Sequence, residues 1–297
     1  MPTLSPDSAA ARDLASGRYH VRPMTPDETE TVAVAWMRAA GWNPGVHDGT
    51  TFRAHDPEGF LVGVLDGEPI ACVSAIRYDD TFGFFGCYLV REDQRRRGYG
   101  LARHEAGRRR LAGCVQGGDA VIENVAKYER IGRVAAWRNA RFAGTVPHRP
   151  VDATTIDART VPLDSIAVLD RTCFPAPRPE FLAAWIHQPA GIARAVVDDD
   201  GGCLGYAVAR PCHVGWKIGS LFATTPTVAA RLFSDVLGRL PAGDTFVLDV
   251  PEPNAAAREL VDAHGMTEVF ATMRMFTGPV PPIRLDRVYG ITTFELG

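Results

Sequence analysis

Gln94-Arg95-Arg96-Arg97-Gly98-Tyr99-Gly100-Leu101-Ala102 is the stretch whose reading decides the fold of this chain. It follows an apolar run, Phe82 to Val90, and precedes an Ala/Arg/Leu-rich segment, Leu101 to Ala112. The local order is therefore strand, glycine loop, helix. Such a loop suits anions. Glycines let backbone N–H groups approach a phosphate, the first helical turn adds free donors and the positive dipole end, and arginines add forked, charged donors. A dinucleotide fingerprint needs a third glycine at 103, where the chain has Arg103. The Gly-Lys-Ser/Thr of a Walker A loop occurs nowhere in the chain. The plainer alternative is a solvated basic turn that caps a helix, and the flanking elements choose between the two.

Upstream, residues 1–17 are polar and small and are expected to be flexible, and Tyr19 to Pro23 reads as a short strand. Thr25-Pro26-Asp27-Glu28 is a helix start, with Thr as cap, Pro in the first turn and acids at the dipole end; the helix should reach Ala40 and stop at Gly41. The loop that follows carries Trp42, His47 and Asp48. Phe60 to Leu65, the turn Asp66-Gly67, the return strand Pro69 to Tyr78 and then Thr81 to Val90 make three antiparallel strands. After the loop and its helix come a strand at Ala120 to Glu123, a short helix to Gly132 and a strand from Val134 to Phe142.

Arg149 to Thr154 reads as a polar linker. Beyond it the same order of elements returns: a hairpin of Ile192 to Val197 and Cys203 to Arg210, a strand Val214 to Phe222, a helix from Pro226, a strand Thr245 to Val250, a helix Asn254 to His264 and a strand Thr267 to Phe276. The two halves are not equivalent. The strand ending at Phe222 is followed by Ala223-Thr224-Thr225-Pro226-Thr227, without an Arg-x-x-Gly-x-Gly.

Arg95-x-x-Gly98-x-Gly100 resembles the pyrophosphate-binding motif of the GNAT family, the Gcn5-related N-acetyltransferases, and Tyr128-Glu129-Arg130-Ile131-Gly132 is similar to that family's later motif, a Tyr four residues before Gly. Family members usually have Phe after this glycine; here it is Arg133. In the second half Val261 stands four residues before Gly265 in place of the Tyr. The whole chain resembles bacterial members with an additional C-terminal acetyltransferase-like domain. The resemblance implies an α/β (α+β) fold of two tandem GNAT units, each a mixed, mostly antiparallel sheet flanked by helices: a catalytic unit over 18–147 and a second unit over 155–297 that lacks the phosphate motif.

The resemblance also implies acetyl-CoA as co-substrate and direct transfer of its acetyl group to a primary amine on a small molecule or peptide. Backbone groups at Leu89 and Val90 would meet the pantetheine arm; Arg95, Arg96, Arg97, Gly98, Tyr99 and Gly100 would hold the pyrophosphate; Tyr128 would be the acid for the departing thiolate. An alkylamine has a pKa near ~10.4 and must lose a proton before it attacks. Glu123 is the candidate base. Trp42, His47 and Asp48 are candidate substrate contacts. The rival reading is a non-catalytic acyl-CoA- or metabolite-binding regulatory protein.

Composition narrows the classes. The net charge of −3 supplies no field for nucleic acid or an anionic membrane, and no run approaches the 18 apolar residues of a membrane span. Six cysteines without a Cys-x-x-Cys pair point to buried thiols of a reducing compartment rather than to disulfides or metal ligands. The expectation is a cytoplasmic, metal-free monomer or homodimer.

Overall fold

The structure, a computed structural model, describes residues 4–148 and 155–297; the expected linker at 149–154 lies outside them. In the first half β1 (Tyr19–Pro23), β2 (Phe60–Leu65), β3 (Glu68–Arg77) and β4 (Phe82–Val90) form an antiparallel meander, and β5 (Val115–Val121) joins β4 in parallel. The parallel step needs a crossover, and the Ala/Arg/Leu-rich helix α5 (Tyr99–Arg110) supplies it. The second half repeats the plan. β7 (Ile156–Asp157), β8 (Ile192–Val197), β9 (Cys203–Pro211) and β10 (Trp216–Ala223) are antiparallel, and β11 (Thr245–Pro251) joins β10 in parallel across helix α9 (Pro226–Arg239). Each half thus has one parallel pair at the same point of its order.

The halves share one sheet. β6 (Val134–Thr145) leaves the first half to pair with β11, from Thr245↔Thr145 to Pro251↔Asn139. β12 (Thr267–Phe276) then enters between β5 and β6, antiparallel to both. The linker therefore separates two sequence repeats, whereas the hydrogen-bonded sheet runs through both. A last strand, β13 (Val288–Gly290), pairs with β10 off the main path.

Three sequence expectations change. Residues 9–15 of the segment expected to be flexible form helix α1 (Ala9–Ala15), capped by the Ser8 hydroxyl and docked through buried Ala10, whose N–H donates to the Arg97 carbonyl at 3.1 Å. The helix opened by the capping box of Thr25 and Glu28 is not regular; a π-helical segment, Thr29–Val34, separates α2 (Pro26–Glu28) from α3 (Ala35–Ala39). The strand expected at Ala120 to Glu123 begins at Val115 and ends at Val121. Gly117 and Gly118, which read as a turn, lie inside it. A Cβ at Gly117 would stand 2.9 Å from the Phe84 ring, and one at Gly118 3.1 Å from the Phe85 carbonyl, so β4 needs glycines opposite it. The six cysteines are free thiols.

Candidate active site

β4 and β5 stay in register only from Phe82↔Val115 to Phe85↔Gly118. The next residues of β4 make a bulge: Ser74 faces Gly86 and Cys72 faces Leu89, so β4 spends one residue more than β3, and Cys87 takes φ of 47°. A bulge adds twist and turns the strand away from its neighbour. The two strands part at this point, and a cavity of about 590 Å³ opens between Gly86, Cys87 and Tyr88 on one side and Asp119, Ala120 and Val121 on the other.

The arginine–glycine loop stands at the end of β4. Gly98 has φ of 95°, a left-handed geometry that costs glycine nothing, and it precedes the first turn of α5. A Cβ at Gly100 would stand 2.8 Å from the Tyr88 hydroxyl. Arg95, Arg96 and Arg97 are exposed. One turn further on, Arg103 is fully buried; its Nη1 donates to the Leu89 carbonyl, its guanidinium lies 4.1 Å from the Tyr88 ring centre, and its Nε and Nη2 have no partner. Exposed arginines and a glycine-lined helix start fit a polyanionic phosphate ester. The expected backbone contacts at Leu89 and Val90 are partly taken, since Arg95 Nε donates to the Val90 carbonyl at 3.3 Å and Arg103 to that of Leu89. Tyr99 contributes no side chain to the loop. It packs 4.9 Å from Tyr19 and donates to Asp13, which leaves only its backbone for an anion.

Tyr128, on the short helix α6 (Val125–Glu129), lines the cavity. Burial first, then neighbouring Tyr88, raises its pKa, while Arg133 and Arg103 oppose the rise. Its hydroxyl therefore keeps its proton at neutral pH. Arg133 lines the same wall, 5.5 Å from the Phe85 ring centre, and burial lowers its pKa to about 10. His104 faces the cavity from α5, and its pKa falls to about 4 through burial first and then Arg133, Arg103 and Arg108.

The remaining expected residues divide. Trp42 lines the cavity, and its carbonyl accepts Lys217 Nζ at 2.9 Å. Asp48 does not reach it. Its carboxylate is buried against Arg210 and caps the Gly45 N–H at 2.7 Å. His47, half-buried at the start of helix α4 (Asp48–Phe52), also lies outside the lining. Glu123 sits on an exposed 3₁₀ turn after β5 and does not line the cavity, because β5 ends two residues earlier than the sequence suggests. Asp119 does line it, but its oxygens accept Arg274 at 3.0 and 2.7 Å and Asn139 at 2.9 Å. Sequence reasoning missed Arg103, His104, Asp119 and Glu295. Strand register places them, and no motif marks them.

In the second half the corresponding opening is filled by the chain itself. β13 pairs with β10 at Leu221↔Gly290 and Phe222↔Val288. A Cβ on Gly219 would run into the Ile291 carbonyl and lie 2.7 Å from that of Thr292. The loop after β10 caps its helix with Thr225, whose hydroxyl accepts the Val228 N–H at 3.3 Å.

Comparison with known proteins agrees with this repeat. Residues 23–114 match the model described as Acetyltransferase (GNAT) family, and residues 166–290 that described as Acetyltransferase (GNAT) domain. The holothin acyltransferase of Pseudoalteromonas sp. (strain SANK 73390) is 28% identical over 266 residues, covering 88% of this chain and 89% of that protein. A putative acetyltransferase from Pyrococcus horikoshii superposes with a TM-score of 0.76 at 23% identity, over 94% of this chain and 96% of its own. A tandem GNAT protein from the clavulanic acid biosynthesis pathway superposes with a TM-score of 0.58 at 12% identity, over 88% and 99%. The chain belongs to the GNAT acetyltransferase family as a tandem of two such domains, and acyl transfer is its chemistry.

Proposed function

We propose that the first domain moves an acetyl group from acetyl-CoA to a primary amine by direct attack. One observation carries the reading: the bulge at Cys87 opens β4 from β5 beside the arginine–glycine loop, and Tyr128 stands in the opening. The loop would hold the pyrophosphate. Edge groups of β4 left free by the bulge would orient the thioester carbonyl and donate to its oxygen as charge develops there. The amine nitrogen bonds to the carbonyl carbon as the carbon–sulfur bond breaks, and the Tyr128 hydroxyl gives its proton to the sulfur. A tyrosine near ~10 is a weak acid toward a thiolate whose conjugate acid is near ~8.5, so Tyr128 works by position rather than by driving force. The second domain, its own opening filled by β13, closes the site and holds no cofactor. That a relative is named for acylating holothin supports a small-molecule acceptor.

Calorimetry with acetyl-CoA tests the reading. Wild type should bind, and Gly100→Glu, whose carboxylate would enter the cradle, should lose binding. Wild type that fails to bind acetyl-CoA would end the enzymatic reading.

A further inference from the structure

We infer that Glu295, delivered by the second domain, is the base that takes the acceptor's proton, and that the acceptor is a small primary amine with an apolar body. This rests on the acetyl-transfer reading of the cavity.

The segment that fills the second opening goes on to complete the first. Past β13, Thr292 is fixed by Arg178 Nη2 and by the Ser220 hydroxyl, each at 2.9 Å. The chain then turns on Thr293, whose hydroxyl accepts the N–H groups of Glu295 and Leu296 at 3.1 and 2.9 Å. Tyr78, at the end of β3, donates to the Leu296 carbonyl at 2.9 Å. The Glu295 carbonyl lies against Gly86 so closely that a Cβ there would run into it. These contacts hold the turn at the bulge of β4, the point where the cavity opens.

From that turn the Glu295 side chain reaches the cavity wall. It is 6% exposed, and its Oε2 has no hydrogen-bond partner. A buried carboxylate oxygen without a donor is costly, and such groups ask for an explanation. The other carboxylate of the wall, Asp119, is spent on Arg274 and Asn139. Three cations interact electrostatically with Glu295: Arg141, Arg210 and Lys217. Each has another partner, respectively Asp249, Asp48 and the Trp42 carbonyl. The Cys87 thiol, hydrogen-bonded to the Met37 sulfur at 3.4 Å, has its pKa raised well above the usual value, chiefly by burial and then by the charge of Glu295. Oε2 itself is shut off from solvent, so an ammonium group that enters the cavity would meet Glu295 through the other oxygen of its carboxylate.

The same wall sets the class of acceptor. Trp42, Val269, Phe270, Met275 and Phe294 line the cavity around Glu295, and Phe270 and Phe294 meet edge to face at 5.9 Å. Arg141 covers Phe294 at 4.7 Å. One carboxylate left without a hydrogen bond, beside these apolar groups in a cavity whose lining also carries the cations Lys127, Arg133 and Arg141, fits a monocation on an apolar body and leaves the further charges of a polyamine unmatched. On binding, the ammonium gives one proton to Glu295. The nitrogen lone pair attacks, the nitrogen–carbon bond replaces the carbon–sulfur bond, Tyr128 protonates the sulfur, the second proton of the amide nitrogen restores the Tyr128 hydroxyl, and Glu295 passes its proton to solvent. One proton leaves to solvent in the net reaction.

The experiment compares wild type with Glu295→Gln, which keeps the shape of the side chain. Acetyl-CoA binding by calorimetry should be unchanged. Acetylation of 2-phenylethylamine at pH 7 should fall about 100-fold, and its rate should climb about tenfold per pH unit from 7 to 9, as the neutral amine does, more steeply than in wild type. Aniline, already neutral at pH 7, should be acetylated within about threefold of wild type, since it has no ammonium proton to remove. Spermidine should be turned over by wild type at least about tenfold less well than 2-phenylethylamine. Wild type that does not bind acetyl-CoA would overturn the enzymatic reading and this inference with it. Normal binding with no loss on 2-phenylethylamine, or an equal loss on aniline, would overturn the role of Glu295 alone. Preference for spermidine would overturn the acceptor class.

Discussion

Asp48, at the start of a five-residue helix in the first domain, accepts Arg210 Nε of the second domain at 2.9 Å, and both side chains are withdrawn from solvent. Arg210 also lies over the Trp185 ring at 4.6 Å. The loop around Asp48 docks nearby: the Val46 N–H donates to Pro211 at 2.9 Å, and the Asn43 amide donates to the Val214 carbonyl at 2.7 Å. The residue type that suggested substrate contact serves to lock the two domains together.

Breaking a buried pair leaves the other charge stranded, at a cost of about 3–5 kcal/mol. Asp48→Asn should lower stability by an amount in that range in urea melts. Any protein that remains folded should keep its acetyl-CoA affinity. A loss of amine affinity with stability intact would return Asp48 to the substrate site.

Tyr128→Phe keeps the ring and removes the proton donor. Turnover should drop about 100-fold, the scale of a positioned acid, while calorimetric binding of acetyl-CoA changes by less than about twofold. Equal activity in the variant would show that the thiolate leaves unaided.

Acid should weaken the fold through His104. Its folded pKa of about 4 lies below the ordinary value near ~6.5, so between these limits the unfolded chain binds a proton that the folded chain refuses. Stability present above pH ~6.5 is therefore lost as pH falls toward 4, at up to about 1.4 kcal/mol per unit. Urea melts at pH 7, 6 and 5 should show the decline, and His104→Gln should flatten it. An imidazole seen by NMR to titrate near 6.5 in the folded protein would refute the account.

Gly86→Ala should separate the site from the rest of the fold. The added methyl meets the Glu295 carbonyl, which is backbone and cannot turn aside, so the segment 291–297 must shift. Overpacking of this kind costs about 1–3 kcal/mol. Acetylation of an alkylamine should fall with it, whereas acetyl-CoA binding at the arginine–glycine loop, beyond the end of β4, should persist.

Much of this protein was legible in local sequence. Glycines at 98 and 100 after an apolar run, Asp66-Gly67 between two strands, and the same order of elements on either side of 149–154 are short-range signals. Each reflects the backbone freedom of one residue or the period of one element, and each element forms close to where it was expected. Tyr128 could be read because its helix lies only a few residues past β5.

What lay beyond that reach was decided by pairing between distant strands. β12 enters between β5 and β6 because its register with both satisfies their edges, and nothing in Thr267 to Phe276 names a partner. Glu123 looked like a base because β5 was expected to end two residues later than it does, whereas the glycines of β5 answer to phenylalanines on β4. Glu295 looked like nothing, in a stretch without period or motif. The sequence alone determined the elements, the phosphate loop and the repeat, because those follow from neighbours along the chain. Only the tertiary structure decided which carboxylates are spent in ion pairs and which one faces the cavity unpaired, because that depends on donors brought from more than a hundred residues away.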